Sequence, residues 1–115
     1  MNSNTLLELA VETLEDFKAF DIKVLDVKKL TSIADYLVVA SGTSRRHVRS
    51  VSERVAEASK HAGVAPLGIE GKEGSDWILI DLNDVIVHVM QPSVREFYKL
   101  EDLWSVRPST AMSAD

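Results

Sequence analysis

The two apolar runs at residues 77–82 and 85–90, Trp-Ile-Leu-Ile-Asp-Leu and Val-Ile-Val-His-Val-Met, most restrict what this chain can fold into. Both are rich in β-branched or aromatic residues, and only Asn83-Asp84 separates them, two residues whose short polar side chains tolerate the positive φ of a tight turn. The spacing predicts a hairpin in which Ile78, Ile80 and Leu82 share a face with Val89, Val87 and Val85, because residues directly opposite in a ladder point the same way. The other face then carries Trp77, Leu79 and Asp81 opposite Met90, His88 and Ile86. Six aliphatic side chains on one face require a covering layer. The second face, with an aromatic ring, a carboxylate and an imidazole, is where function is expected.

Pro92 follows the hairpin. Its fixed φ and missing N–H suit the first position of a helix, and Val94, Phe97, Leu100 or Glu101, and Trp104 recur at helical spacing, so a helix folded back beside the hairpin is expected. At the other end, Thr5-Leu6-Leu7-Glu8 has the spacing of a capping box. Leu6, Leu7, Ala10, Val11, Leu14 and Phe17 form one apolar arc, which predicts a helix over 5–18. Residues 21–27 and 36–41 read as strands, the latter more central because it is almost continuously apolar. Gly42-Thr43-Ser44 leads into a second helix, capped by Thr43 or Ser44, with a buried seam of Val48, Val51, Val55, Ala58 and Ala62, and ended by Gly63. A short strand over 66–71 and a polar loop over 72–76 lead back to Trp77. The segment 105–115 has no periodicity and is expected to be disordered. Together these predict a single α/β domain over 1–104, a mixed sheet of about five strands covered by helices.

Charge narrows the partners. Of 115 residues, 18 are acidic and 13 basic. Residues 1–65 are balanced, nine against nine, whereas residues 66–115 carry nine acidic against four basic, so the whole excess lies in the half that holds the hairpin. A phosphate-binding surface should be basic; an acidic one suits a basic protein. The absence of cysteine excludes disulfides and thiolate metal sites. The amino terminus has no basic n-region, and the longest apolar run, 36–40, falls far short of the ~20 residues that span a bilayer. A soluble cytoplasmic protein with no membrane partner is expected.

Catalytic patterns are weak. Gly42-Thr43-Ser44 at a helix start lacks the further glycines and lysine of a phosphate loop. Asp81 and Asp84 are the nearest pair for Mg²⁺, but a strand residue and a turn residue three apart do not share a face. His47, His61 and His88 show no metal-ligand spacing, and Ser44 beside arginines has no evident base. Arg45, Arg46 and Arg49 line the exposed arc of the second helix, where Arg49-Glu53 pairing at i,i+4 reads as a solvated face and an RNA contact as the alternative. Trp77 is either an anchor of the second sheet layer or an interface residue.

Two long motifs occur in the right order: Gly-Thr-Ser-Arg-Arg-His-Val at 42–48, and Glu70-Gly71 followed by 75–90, continued by Arg-Glu-Phe-Tyr-Lys-Leu-Glu-Asp-Leu-Trp at 95–104. On these the chain resembles the ribosomal silencing factor family, RsfS or Iojap-like proteins, over about residues 4–104. The resemblance implies a nucleotidyltransferase-like α/β fold without catalysis or cofactor. It also implies binding to the large ribosomal subunit at protein L-fourteen, which blocks joining of the small subunit and lowers translation when nutrients are scarce. The family's partner-binding residues fall on Trp77, Leu82 and Tyr98; the hairpin register puts Leu82 on the aliphatic face, and its place at the strand end leaves exposure at the rim open. A minor contact with ribosomal RNA and pairing of two free copies are left open. Asn83 stands where the family usually has Gly, and the turn should survive because Asn also adopts αL.

Overall fold

The computed structural model describes residues 2–71 and 75–98. In chain order the elements are α1 (Ser3–Asp16), β1 (Phe20–Asp26), β2 (Tyr36–Ser41), α2 (Arg45–His61), β3 (Gly68–Glu70), β4 (Trp77–Asp81), β5 (Val85–Met90) and α3 (Pro92–Tyr98). They form one five-stranded sheet in the order β1-β2-β5-β4-β3. Only β2 and β5 run parallel, in the centre; the other neighbours are antiparallel. The expected continuation of α3 to Trp104, the tail at 105–115 and the loop residues 72–74 lie outside the described residues.

The hairpin has the predicted register: Trp77 faces Met90, Ile78 faces Val89, Leu79 faces His88, Ile80 faces Val87 and Asp81 faces Ile86. Its turn closes as expected, with the Leu82 N–H donating to the Val85 carbonyl at 2.9 Å. Asn83 takes the left-handed conformation, φ 75°, and the Asp81 carboxylate accepts its N–H at 2.8 Å. A local side-chain bond of this kind is why Asp and Asn favour turns.

Helix boundaries shift for identifiable reasons. α1 is capped by Asn2, whose side-chain oxygen accepts the Thr5 N–H at 2.8 Å, so Thr5 lies inside the first turn and is not the cap. The helix ends two residues earlier than the periodicity implied, because Lys18 adopts φ 73°. α2 is capped by Ser44, not Thr43, and closes at Gly63, φ 98°. Its seam also departs from expectation: Ser52 and Ser59 are buried, while Ala58 is only partly so and Ala62 is exposed. Both serines are satisfied inside the protein, Ser52 donating to the Val48 carbonyl at 2.7 Å and Ser59 to that of Val64. Gly42 is required by close approach, since a Cβ there would meet Val48 Cγ2 at 2.9 Å.

α1 and α2 cover one face of the sheet. Leu6, Ala10 and Leu14 of α1 and Val48, Val51 and Val55 of α2 pack on Val38, Ala40, Ile78, Ile80, Val85, Val87 and Val89. His47 ties the two helices together: its Nδ1 accepts the Thr43 N–H at 2.9 Å and its Nε2–H donates to the Phe17 carbonyl at 2.8 Å. On the opposite face lies a smaller cluster of Val27, Leu37, Val39 and Met90, with Leu25, Trp77, Ile86 and Val94 packed against it. α3 therefore sits on the second face, at the Met90 end. There Arg95 is buried and donates to Ser41 Oγ at 2.8 Å.

Candidate docking face of the sheet

Alternation along β4 and β5 puts the functional candidates on the face that α1 and α2 do not cover. Trp77 opens β4, opposite Met90, and its indole leans along the sheet toward the diagonal neighbour, His88. The indole Nε1–H donates to His88 Nδ1 at 2.9 Å, with the ring centroids 5.8 Å apart and the planes tilted by 48°. Indole nitrogen can only donate. His88 Nδ1 must therefore carry the lone pair, and the imidazole is the neutral tautomer with its proton on Nε2.

His88 itself is 7% exposed. It stands in mid-sheet with Val39 of β2 on one side and Leu79 of β4 on the other. Burial in these surroundings disfavours the imidazolium and pushes its pKa down from 6.5 to about 4. Around the pair, Leu25, Leu79 and Ile86 are half-buried, giving an apolar surface that α1 and α2 leave uncovered. Asp81 and Glu70 bring carboxylates to the β4 and β3 side of this face, and Lys23 stands on the β1 side.

The sequence-predicted contacts separate here. Trp77 is partly exposed on this face. Leu82 is not at an exposed rim: it is 1% exposed and packs in the helix-covered core. Hairpin alternation required this, and closing the turn through Leu82 and Val85 keeps the strand end from splaying open. Tyr98 is the last residue of α3, and its side chain lies outside the described residues. Sequence reading grouped Trp77 with His88 on one face but missed the bond between them, which depends on side-chain torsions. It also missed Arg95, whose burial depends on where α3 docks.

Arg45 and Arg49 of α2 are engaged locally. Arg45 Nε meets Asp76 Oδ1 at 2.8 Å, and Arg49 Nε meets Glu53 Oε2 at 3.2 Å. Asp81 is used by the turn, and among the described residues no group of three or more His, Cys, Asp or Glu is placed to hold a metal ion. No helix among them is long and apolar enough to cross a membrane.

The fold and the site thus define a class: a small mixed-sheet α/β domain with one face covered by α1 and α2 and, on the other, a partly exposed tryptophan bonded to a buried histidine. A family model described as ribosomal silencing factor during starvation matches residues 1–115. The chain is 44% identical over 115 residues to the ribosomal silencing factor RsfS of Chromobacterium violaceum, covering 99% of this chain and 94% of that one. It is 35% identical over 104 residues to the Mus musculus protein named mitochondrial assembly of ribosomal large subunit protein 1, covering 88% of this chain and 46% of the mouse protein. A crystal structure of a Chromobacterium violaceum protein superposes with a TM-score of 0.89 at 44% identity, over 95% of this chain and 92% of that chain. The chain belongs to the ribosomal silencing factor family.

Proposed function

We propose that the chain docks on the large ribosomal subunit through the second face of its sheet, with Trp77 as the anchor, and that the docked protein blocks joining of the small subunit. The observation that carries this reading is the Trp77 indole: a large aromatic side chain, partly exposed, held by a directed hydrogen bond on an apolar surface rimmed by Asp81 and Glu70. Anchors of this kind dominate interface energetics. The acidic surplus of residues 66–115 favours a basic ribosomal protein as the contact, and family resemblance points to L-fourteen. The mouse relative's name supports the large subunit as the target.

Steric blocking needs occupancy and no turnover. Repression of translation under nutrient limitation follows from the amount of protein docked, without nucleotide or other cofactor, and in the cytoplasm where subunits join. Leu82 contributes through the core, by fixing the turn that ends β4. Tyr98, the last residue of α3, contributes a second contact, as the family resemblance implies.

Sedimentation with purified large and small subunits tests the proposal. The chain should pellet with large subunits and deplete the joined particle in proportion to its occupancy, with no added nucleotide. Trp77→Ala should keep a cooperative melt and lose about 2 kcal/mol or more of docking energy, about thirtyfold in affinity. A folded Trp77→Ala protein that blocks joining at the same concentration as the unmodified chain would place the inhibitory surface elsewhere.

A further inference from the structure

We infer that His88 is a positioning residue for docking: by accepting the Trp77 indole N–H it holds the anchor ring in one orientation on the open face. This rests on the docking role proposed above for Trp77. The bond joins the first residue of β4 to the fourth of β5 across the hairpin, at 2.9 Å, and it ties the polar end of the indole down while part of the ring stays exposed.

His88 is costly where it is. Its neighbours across the strands, Val39 and Leu79, are aliphatic, and a buried polar group costs free energy unless it is hydrogen-bonded. Packing alone is served by an aliphatic side chain of similar size. What an aliphatic residue cannot supply is an acceptor at the position of Nδ1, the one capacity that the indole bond uses.

The consequence for binding is pre-organisation. A partly exposed side chain free to change rotamer loses that freedom on docking, and a ring already fixed in its bound orientation avoids the loss. The indole is well suited because its two side-chain torsions are both set once the N–H is held. His88 acts through Trp77, so its effect should appear in docking as well as in stability, and should depend on where the acceptor atom sits.

Three variants of the full chain separate these roles. His88→Asn keeps an acceptor oxygen near the position of Nδ1, His88→Gln places it further out, and His88→Leu removes it. The first readout is the Trp77 indole resonance in a ¹H–¹⁵N spectrum, identified by its loss in Trp77→Phe; the second is affinity for purified large subunits. We expect the unmodified chain and His88→Asn to show a hydrogen-bonded, downfield indole proton and affinities within about threefold of each other. His88→Leu and His88→Gln should show a solvent-like indole proton and docking weaker by about five- to tenfold, the range of one hydrogen bond. If His88→Leu does not fold, Asn against Gln decides, and equal affinities for those two overturn the inference. So does a folded His88→Leu with a released indole and unchanged docking, provided Trp77→Ala still abolishes docking. If Trp77→Ala also docks normally, the reading of the whole face fails, and this inference with it.

Discussion

The two faces of the sheet are made by alternate residues of the same strands, yet they are built on different terms. The helix-covered face uses Val38, Ala40, Ile80, Val85, Val87 and Val89, each fully buried and with a side chain that can form no hydrogen bond; directed contacts on this side include those of His47 and Tyr36 at its margins. Among the described residues the opposite face buries fewer apolar side chains and carries directed contacts that include Trp77 to His88, Arg95 to Ser41, and Asp81 to its own turn. Burial without direction tolerates many sequences of similar volume. A hydrogen bond to a single nitrogen does not. The first face accordingly specifies that the chain folds, and the second specifies where particular side chains point.

Leu82 makes the sharpest division between the two. It follows Asp81 of the second face in sequence but belongs to the packed face, so Leu82→Ala should cost about 2–5 kcal/mol of unfolding free energy by urea denaturation. Docking per folded molecule should stay close to that of the unmodified chain. A variant of undiminished stability that no longer docks would dissolve the contrast and return Leu82 to the interface.

His88 supplies the next largest effect, through pH. Its imidazole is held neutral in the folded chain, with a pKa near 4 against 6.5 when unfolded. Between those values the unfolded chain binds more protons than the folded one, so stability is fully present above pH 6.5 and falls as pH drops toward 4. At roughly 1.4 kcal/mol per unit, the loss over this window amounts to about 3 kcal/mol from this one group. The slope of denaturation free energy against pH should flatten in His88→Asn. An unchanged slope would mean that His88 is hydrated in the folded protein and that the second face is wetter than its packing indicates.

Sequence made the packed face nearly complete. Period-two alternation in 77–90 gave the hairpin register to the residue, and the apolar arcs gave both covering helices, because burial leaves a periodic trace. What it did not give were features decided by competing local bonds. Asn2 outcompeted Thr5 as a cap, and Lys18 stopped α1 early by turning left-handed. Ser52 and Ser59 entered the α2 seam because the backbone carbonyls of Val48 and Val64 satisfy their hydroxyls, a circumstance no hydropathy pattern records. On the second face, the alternation correctly grouped Trp77 with His88. The bond between them depends on side-chain torsions, and the burial of Arg95 on the docking of a seven-residue helix, so neither could be read from spacing.

The turn that joins β4 to β5 serves both faces and can be tested separately from either. Asn83 has φ 75°, where a β-branched side chain is strained, so Asn83→Val should cost about 1–2 kcal/mol. Asn83→Gly, which adopts this conformation without strain, should change stability by less than about 1 kcal/mol. Loss of docking in a stable Asn83→Gly would show that the turn side chain itself touches the partner.

The smallest effect is expected furthest from the open face, on the arginine arc of α2. In the sequence Arg45 and Arg49 read as a solvated face with an RNA contact as the alternative, and in the structure Arg45 pairs with Asp76 and Arg49 with Glu53 of the same chain. Both side chains are largely solvated, where water screens ion pairs and weakens what each contributes to folding. If docking runs through the second sheet face, replacing both by Gln should leave affinity for large subunits within about threefold. The dependence on salt distinguishes the alternatives further, because each phosphate neutralised contributes about −0.7 to −0.9 to the slope of log K against log salt. The double replacement should leave that slope unchanged. A slope reduced by one to two, with a hundredfold loss of affinity, would place part of the contact on ribosomal RNA and make α2 an interface in its own right.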